Sequence, residues 1–243
     1  MARNAMIFGD SYSTFRGYIP EGYAVYYHEA EGQENTDVRK VTETWWHQVI
    51  SETGMNLVQN NSWSGSTVCH TGYNNTDCSK TSSFIYRLRK LTEEGFFQEN
   101  RIDTVFVFGG TNDYGHGDAA FGVFEDRDPY TFYGAVHTLV QKLLAKYERS
   151  KIVFLLPLHR GTETQTIVKG GKLTEVALAQ YVQALREVLD FYEISYLNLF
   201  EDGKTEEQIA EGLQQYTTDG LHPNEKGHRM LADLVIQYLE SQV

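Results

Sequence analysis

The stretch DTVFVFGG fills residues 103–110, and four large apolar residues follow one another in it without a polar break. A strand with one wet face alternates polar and apolar positions. A run that is apolar throughout fits a strand covered on both faces, as in a parallel sheet. Four further runs read the same way: NAMIFG (4–9), MNLVQNN (55–61), KIVFLLPL (151–158) and EISYLNLF (193–200). Amphipathic patterns at 41–53, 82–95, 130–147, 173–192 and 224–242 predict helices between and after them. This alternation predicts an α/β fold, a three-layer α/β/α sandwich around a parallel sheet of about five strands. The 243 residues contain no repeat, linker or break in composition, so residues 1–243 read as one domain. Ligands of such sheets bind beyond the carboxyl ends of the strands, where the strand order reverses.

Composition narrows the partners. The formal charge is −12, which argues against nucleic acid and anionic membrane surfaces, since both need a positive patch. No apolar run approaches the length of a membrane span, and MARNAMIFGD at the start lacks the apolar core of a secretory leader, so a cytoplasmic location is expected. Cys69 and Cys78 are expected as free thiols. His28, His47, His70, His116, His137, His159 and His228 show no metal-ligand spacing, and GGTNDYGHG lacks the lysine of a phosphate loop. No metal and no cofactor is expected.

Four segments carry candidate chemistry. In MIFGDSYSTF (6–15) a glycine ends the first strand and Ser11 follows, a position expected to expose the hydroxyl. A serine needs a base, and the base needs an orienting group. TTDGLHPNEKGH (217–228) offers both, with Asp219 three residues before His222. Donors for a developing oxyanion could come from Gly65 in NSWSGST (61–67) and from Asn112 in GGTNDY (109–114). Taken singly, each segment also reads as an ordinary turn; together, each lies beyond a strand or before the last helix.

These segments resemble the blocks of the SGNH hydrolase superfamily, the GDSL-type esterases and lipases. The first block stands as Gly9-Asp10-Ser11, with Tyr12 where many members have leucine. Gly65 matches the second, Gly110-Thr111-Asn112-Asp113 the third, and Asp219-Gly220-Leu221-His222 with Pro223 the fifth. The resemblance implies a flavodoxin-like sheet. It implies Ser11 as nucleophile, His222 as general base and then acid, and Asp219 as the group orienting His222. It also implies an oxyanion hole made of the Ser11 and Gly65 N–H groups and the Asn112 amide. Asp10, Tyr12 and Tyr114 are taken as substrate contacts. The loops 16–37, 70–82 and 113–128 mix aromatic with acidic and amide residues, which suits a small-molecule or glycan ester. A short acyl ester, such as an acetyl group on a carbohydrate, is the expected substrate. The alternatives are a lysophospholipase, an acyl thioesterase, or a carbohydrate-binding module without turnover.

Overall fold

The structure, a computed structural model, describes residues 2–29, 36–116, 118–161, 163, 167–169, 172–174, 176–201 and 203–242. Strands β1 (Asn4–Gly9), β2 (Asn56–Asn60), β3 (Thr104–Phe108) and β4 (Ile152–Leu155) fall within the predicted runs. A short pair follows, β5 (Ile167–Lys169) and β6 (Lys172–Thr174), and then β7 (Ser195–Leu197). The main sheet has the order β2-β1-β3-β4-β7 and every pairing in it is parallel.

Continuous hydrophobicity has the expected cause. Met6 and Phe8 of β1 face one layer with Val105 and Val107, while Ala5 and Ile7 face the other with Phe106 and Phe108. Burying one such side chain contributes about 1.5–3 kcal/mol, and both faces of each central strand contribute. The first layer contains α2 (Phe84–Glu93), α5 (Phe132–Leu144) and α6 (Leu178–Phe191). The second contains α1 (Trp45–Thr53) and α8 (Glu225–Ser241). Trp45 and Trp46 are both core residues, and the N–H of Trp45 donates to buried His228 Nδ1 at 3.1 Å.

The order reverses at β1, whose neighbours are β2 on one side and β3 on the other. Gly9 pairs with Phe108, so β1 and β3 end level. Their carboxyl ends therefore open on a shared crevice, and Ser11 and Asn112 both follow directly.

Several boundaries differ from expectation. Residues 173–174 belong to β6, and α6 starts at Leu178. Gly95, with φ +77°, separates α2 from the short α3 (Phe96–Glu99). Residues 111–116 form α4 (Thr111–His116), so the third loop starts on a helix. A helix not read from the sequence, α7 (Glu206–Tyr216), lies against α8 with no buried residue. Its apolar face is only half-buried, so its hydrophobic signal is weak. Part of loop 16–37, residues 30–35, lies outside the described residues.

Candidate active site

The turn after β1 is built by close packing. A Cβ on Gly9 would lie 2.7 Å from Ser13 Oγ and 2.9 Å from Ser62 Oγ, so glycine is needed there for space. Asp10 Oδ1 accepts the Tyr12 N–H at 3.1 Å and caps the single 3₁₀ turn Ser11–Ser13. Contrary to expectation, Ser11 is not exposed: it keeps 3% of its surface, because the turn folds it beneath the loop from the far end of the chain.

That loop, residues 217–223, is closed by a bridge between Thr217 and Pro223 and by the bond from Thr218 N–H to the His222 carbonyl at 3.1 Å. Asp219 Oδ1 accepts the N–H groups of Leu221 at 3.0 Å and His222 at 2.7 Å. Its Oδ2 lies 2.7 Å from His222 Nδ1, and His222 Nε2 lies 3.1 Å from Ser11 Oγ. Burial alone would raise the Asp219 carboxyl, but the side-chain and backbone bonds from His222 and the Leu221 N–H outweigh it and hold it at about 2. Asp219 is thus an anion at any neutral pH and accepts Nδ1–H. The Nε2 lone pair is left facing the serine hydroxyl. This chain of groups can take a proton from Ser11.

The donor side is held from below. The Asn112 amide gives one N–H to the Ser66 carbonyl at 3.0 Å and retains a second. Gly65 sits at φ +76°, a conformation any other residue would adopt only under strain, and its carbonyl accepts from His116 Nε2 at 2.9 Å. Buried Asp113 accepts the Val68 and Cys69 N–H groups, each at 2.9 Å. Its carboxyl is raised by burial to about 6.

Beneath this loop lies Arg87, fully buried on α2. Its Nη2 donates to the Gly9 carbonyl and to Ser66 Oγ, both at 3.1 Å, and its Nε donates to the Ser82 carbonyl at 2.9 Å. Nη1 donates to the Asn61 carbonyl and, at 3.1 Å, to Asn61 Oδ1. The guanidinium lies over the rings of Phe8 and Phe84, 4.6 and 4.4 Å from their centroids. One side chain therefore ties the end of β1 to the loop carrying Gly65. Replacing Arg87 by Met strands several buried acceptors and should cost about 3–5 kcal/mol, lowering the melting temperature by roughly 10 °C. A thermal melt within 2 °C of wild type would remove Arg87 from this role.

Of the residues singled out in the sequence, Ser11, His222 and Asp219 are joined directly, while Asn112 is tied to Ser66, next to Gly65, and Ser66 in turn through Arg87 to the end of β1. Asp10, Tyr12 and Tyr114, read as substrate contacts, are all buried, as Ser11 is. They are 0%, 0% and 2% exposed, and their side chains pack into the floor of the site. Burial raises the Asp10 carboxyl to about 7. Sequence reasoning missed Arg87, His116 and Tyr26. The Tyr26 ring stacks on His222 at 3.6 Å, and its hydroxyl donates to Asp219 Oδ2 at 3.2 Å. Cys69 and Cys78 are free and buried. Among the described residues no group of three or more His, Cys, Asp or Glu side chains could hold a metal, and no helix is long and apolar enough to cross a membrane.

Solved structures share this architecture. Two proteins described as GDSL-like lipases, from Bacteroides ovatus and Bacteroides uniformis, are each 30% identical to the chain. The first match covers 99% of both chains with a TM-score of 0.73; the second covers 99% of this chain and 96% of that one with a TM-score of 0.72. Est24, a carbohydrate acetylesterase from Sinorhizobium meliloti, is 15% identical, covers 99% of this chain and 100% of its own, and has a TM-score of 0.60. No curated protein sequence matches the chain. The family model described as GDSL-like Lipase/Acylhydrolase matches residues 3–239, the span that carries every segment of the crevice, and the chain belongs to that family.

Proposed function

We propose that the protein is a serine esterase acting on short acyl esters, with an acetyl group on a carbohydrate as the first candidate substrate. The observation that carries this reading is the unbroken series Ser11 Oγ, His222 Nε2, His222 Nδ1, Asp219 Oδ2, with gaps of 3.1 and 2.7 Å. Ser11 attacks the ester carbonyl while His222 takes its proton. The oxyanion is met by the Ser11 and Gly65 N–H groups and the free N–H of Asn112. Collapse of the tetrahedral intermediate breaks the C–O bond, and His222 returns the proton to the leaving alcohol. Water then repeats the sequence on the acyl-enzyme, with His222 again as base.

The surroundings support a short acyl group. The apolar cavity between α7 and α8, about 90 Å³, is lined by Leu158, Ile209, Leu213, Met230 and Leu234. Its wall includes Thr217 and Pro223 from the ends of the loop that carries His222 but neither Ser11 nor His222, which supports a short acyl group over a long one. Exposed Tyr18 and Tyr73 lie instead on the first and second long loops and Tyr130 just beyond the third, where aromatic faces suit sugar rings. Carbohydrate acetylesterase activity on the same fold, in the Sinorhizobium protein, is compatible with this reading.

The test is hydrolysis of p-nitrophenyl acetate, butyrate and octanoate, followed by acetylated oligosaccharides. The acetate should exceed the octanoate by about 10-fold or more in kcat/KM, the scale of a few methylenes that find no pocket. Best turnover on octanoate would move the assignment to a lysophospholipase or thioesterase. No turnover dependent on Ser11 on any ester would leave a binding module.

A further inference from the structure

The two halves of the site come from opposite ends of the chain, and one residue of the first long loop touches both. The Tyr26 N–H donates to Thr14 Oγ1 at 2.9 Å, and Thr14 Oγ1 donates in turn to the carbonyl of Ser11 at 3.1 Å. The side chain of the same residue lies flat on His222, with ring centroids 3.6 Å apart and planes within 14°. Its hydroxyl reaches Asp219 Oδ2 at 3.2 Å. Next in sequence, Tyr27 packs edge-on against Tyr26 at 4.8 Å and donates its hydroxyl to the Pro223 carbonyl at 2.9 Å. Residues 26 and 27 thus clamp loop 217–223 onto the turn that holds Ser11.

We infer that Tyr26 is a positioning residue of this site: its ring fixes the plane of the His222 imidazole so that Nε2 faces Ser11, and its hydroxyl steadies Asp219. The inference rests on the esterase reading above. A parallel ring leaves the imidazole free to slide but not to tilt, and the bond to Asp219 limits the sliding. The negative face of the ring also attracts an imidazolium more than a neutral imidazole, and the imidazolium is what forms during attack on the ester.

Other groups face His222 as well. Asp219 is held at about 2. Tyr12 meets the imidazole edge-on at 6.0 Å, and burial pushes its phenol far up. Burial pushes Tyr26 itself up to about 12 and His228, on α8, down to about 3. None of these changes charge between pH 5 and 8. The buried carboxyls of Asp10 and Asp113, raised to about 7 and about 6, can titrate in that range. Their hydrogen bonds run to Tyr12, Val68 and Cys69 and not to Tyr26, so they affect wild type and Tyr26 variants alike.

The experiment compares kcat and KM on p-nitrophenyl acetate for wild type, Tyr26→Phe, Tyr26→Leu and Tyr26→Met, with Ser11→Ala alongside. Tyr26→Phe keeps the stacked face and should stay within about threefold of wild type. Tyr26→Leu should lower kcat about 10-fold at nearly constant KM. Tyr26→Met fills the space without a π face and should behave like Tyr26→Leu, which covers the case in which the leucine variant does not fold. Non-aromatic variants that keep kcat within about threefold of wild type overturn the inference, as does a Tyr26→Phe variant as impaired as Tyr26→Leu, which would leave the ring face without effect. Full turnover in Ser11→Ala would instead overturn the esterase reading itself.

Discussion

Ser11→Ala should lower kcat by about 10⁴–10⁶ while leaving ester binding nearly intact, as loss of a triad nucleophile does. The side chain is 3% exposed, and its hydroxyl meets His222 Nε2 at 3.1 Å. Alanine removes one oxygen and leaves the surrounding turn in place, since Asp10 caps that turn through the Tyr12 N–H and not through Ser11 Oγ. Stability should accordingly change by no more than about 1 kcal/mol. Residual activity would come from the oxyanion donors alone, with water in place of serine. The check is steady-state kinetics beside a thermal melt. A variant that melts normally and keeps more than a hundredth of wild-type kcat would exclude an acyl-enzyme on Ser11. A variant that melts early would point to a packing role for the hydroxyl.

The sheet was legible because its strands are buried on both faces, and runs such as Val105 to Phe108 have no other economical reading. The site was legible for a related reason. Ser11, Gly65 and Asn112 each follow a strand that ends at the same crevice, so order along the chain translates directly into nearness in space. His222 and Asp219 could be paired from their spacing alone, because an aspartate that accepts its own loop's N–H groups brings its second oxygen back to the histidine. Other parts gave no signal. Arg87 lies in an amphipathic helix, where an arginine reads as solvent-facing, and three of its acceptors are backbone carbonyls that no pattern of side chains reveals. Tyr26 is one of four tyrosines in a loop without periodicity. Tyr12 and Asp10 were read as substrate contacts from their adjacency to Ser11, and the 3₁₀ turn leaves both buried beside it. The missed α7 carried one readable cue, the reciprocal cap between Thr205 and Gln208.

Asn112→Ala should lower kcat by roughly 10²–10³ with little change in KM, the effect of losing one donor to a developing oxyanion. A competing cause must be weighed, because the Asn112 amide also donates to the Ser66 carbonyl at 3.0 Å, and its loss could free the loop that carries Gly65. That loop has stronger fastenings. Arg87 Nη2 holds Ser66 Oγ at 3.1 Å, and the Asp113 carboxylate holds the Val68 and Cys69 N–H groups at 2.9 Å each. Bonds to charged groups contribute about 1.5–3 kcal/mol against about 1 for the neutral amide, so they should keep the loop in place. The variant then loses a donor and little else, and its melt should fall by only a few degrees. The split between kcat and KM tests this. The oxyanion is absent from the bound ester and develops only on the way to the tetrahedral intermediate, so its donor acts on kcat; a contact to the bound ester acts on KM. A raised KM at constant kcat would make Asn112 a substrate contact, and a fall in kcat accompanied by a large drop in melting temperature would assign its effect to the loop.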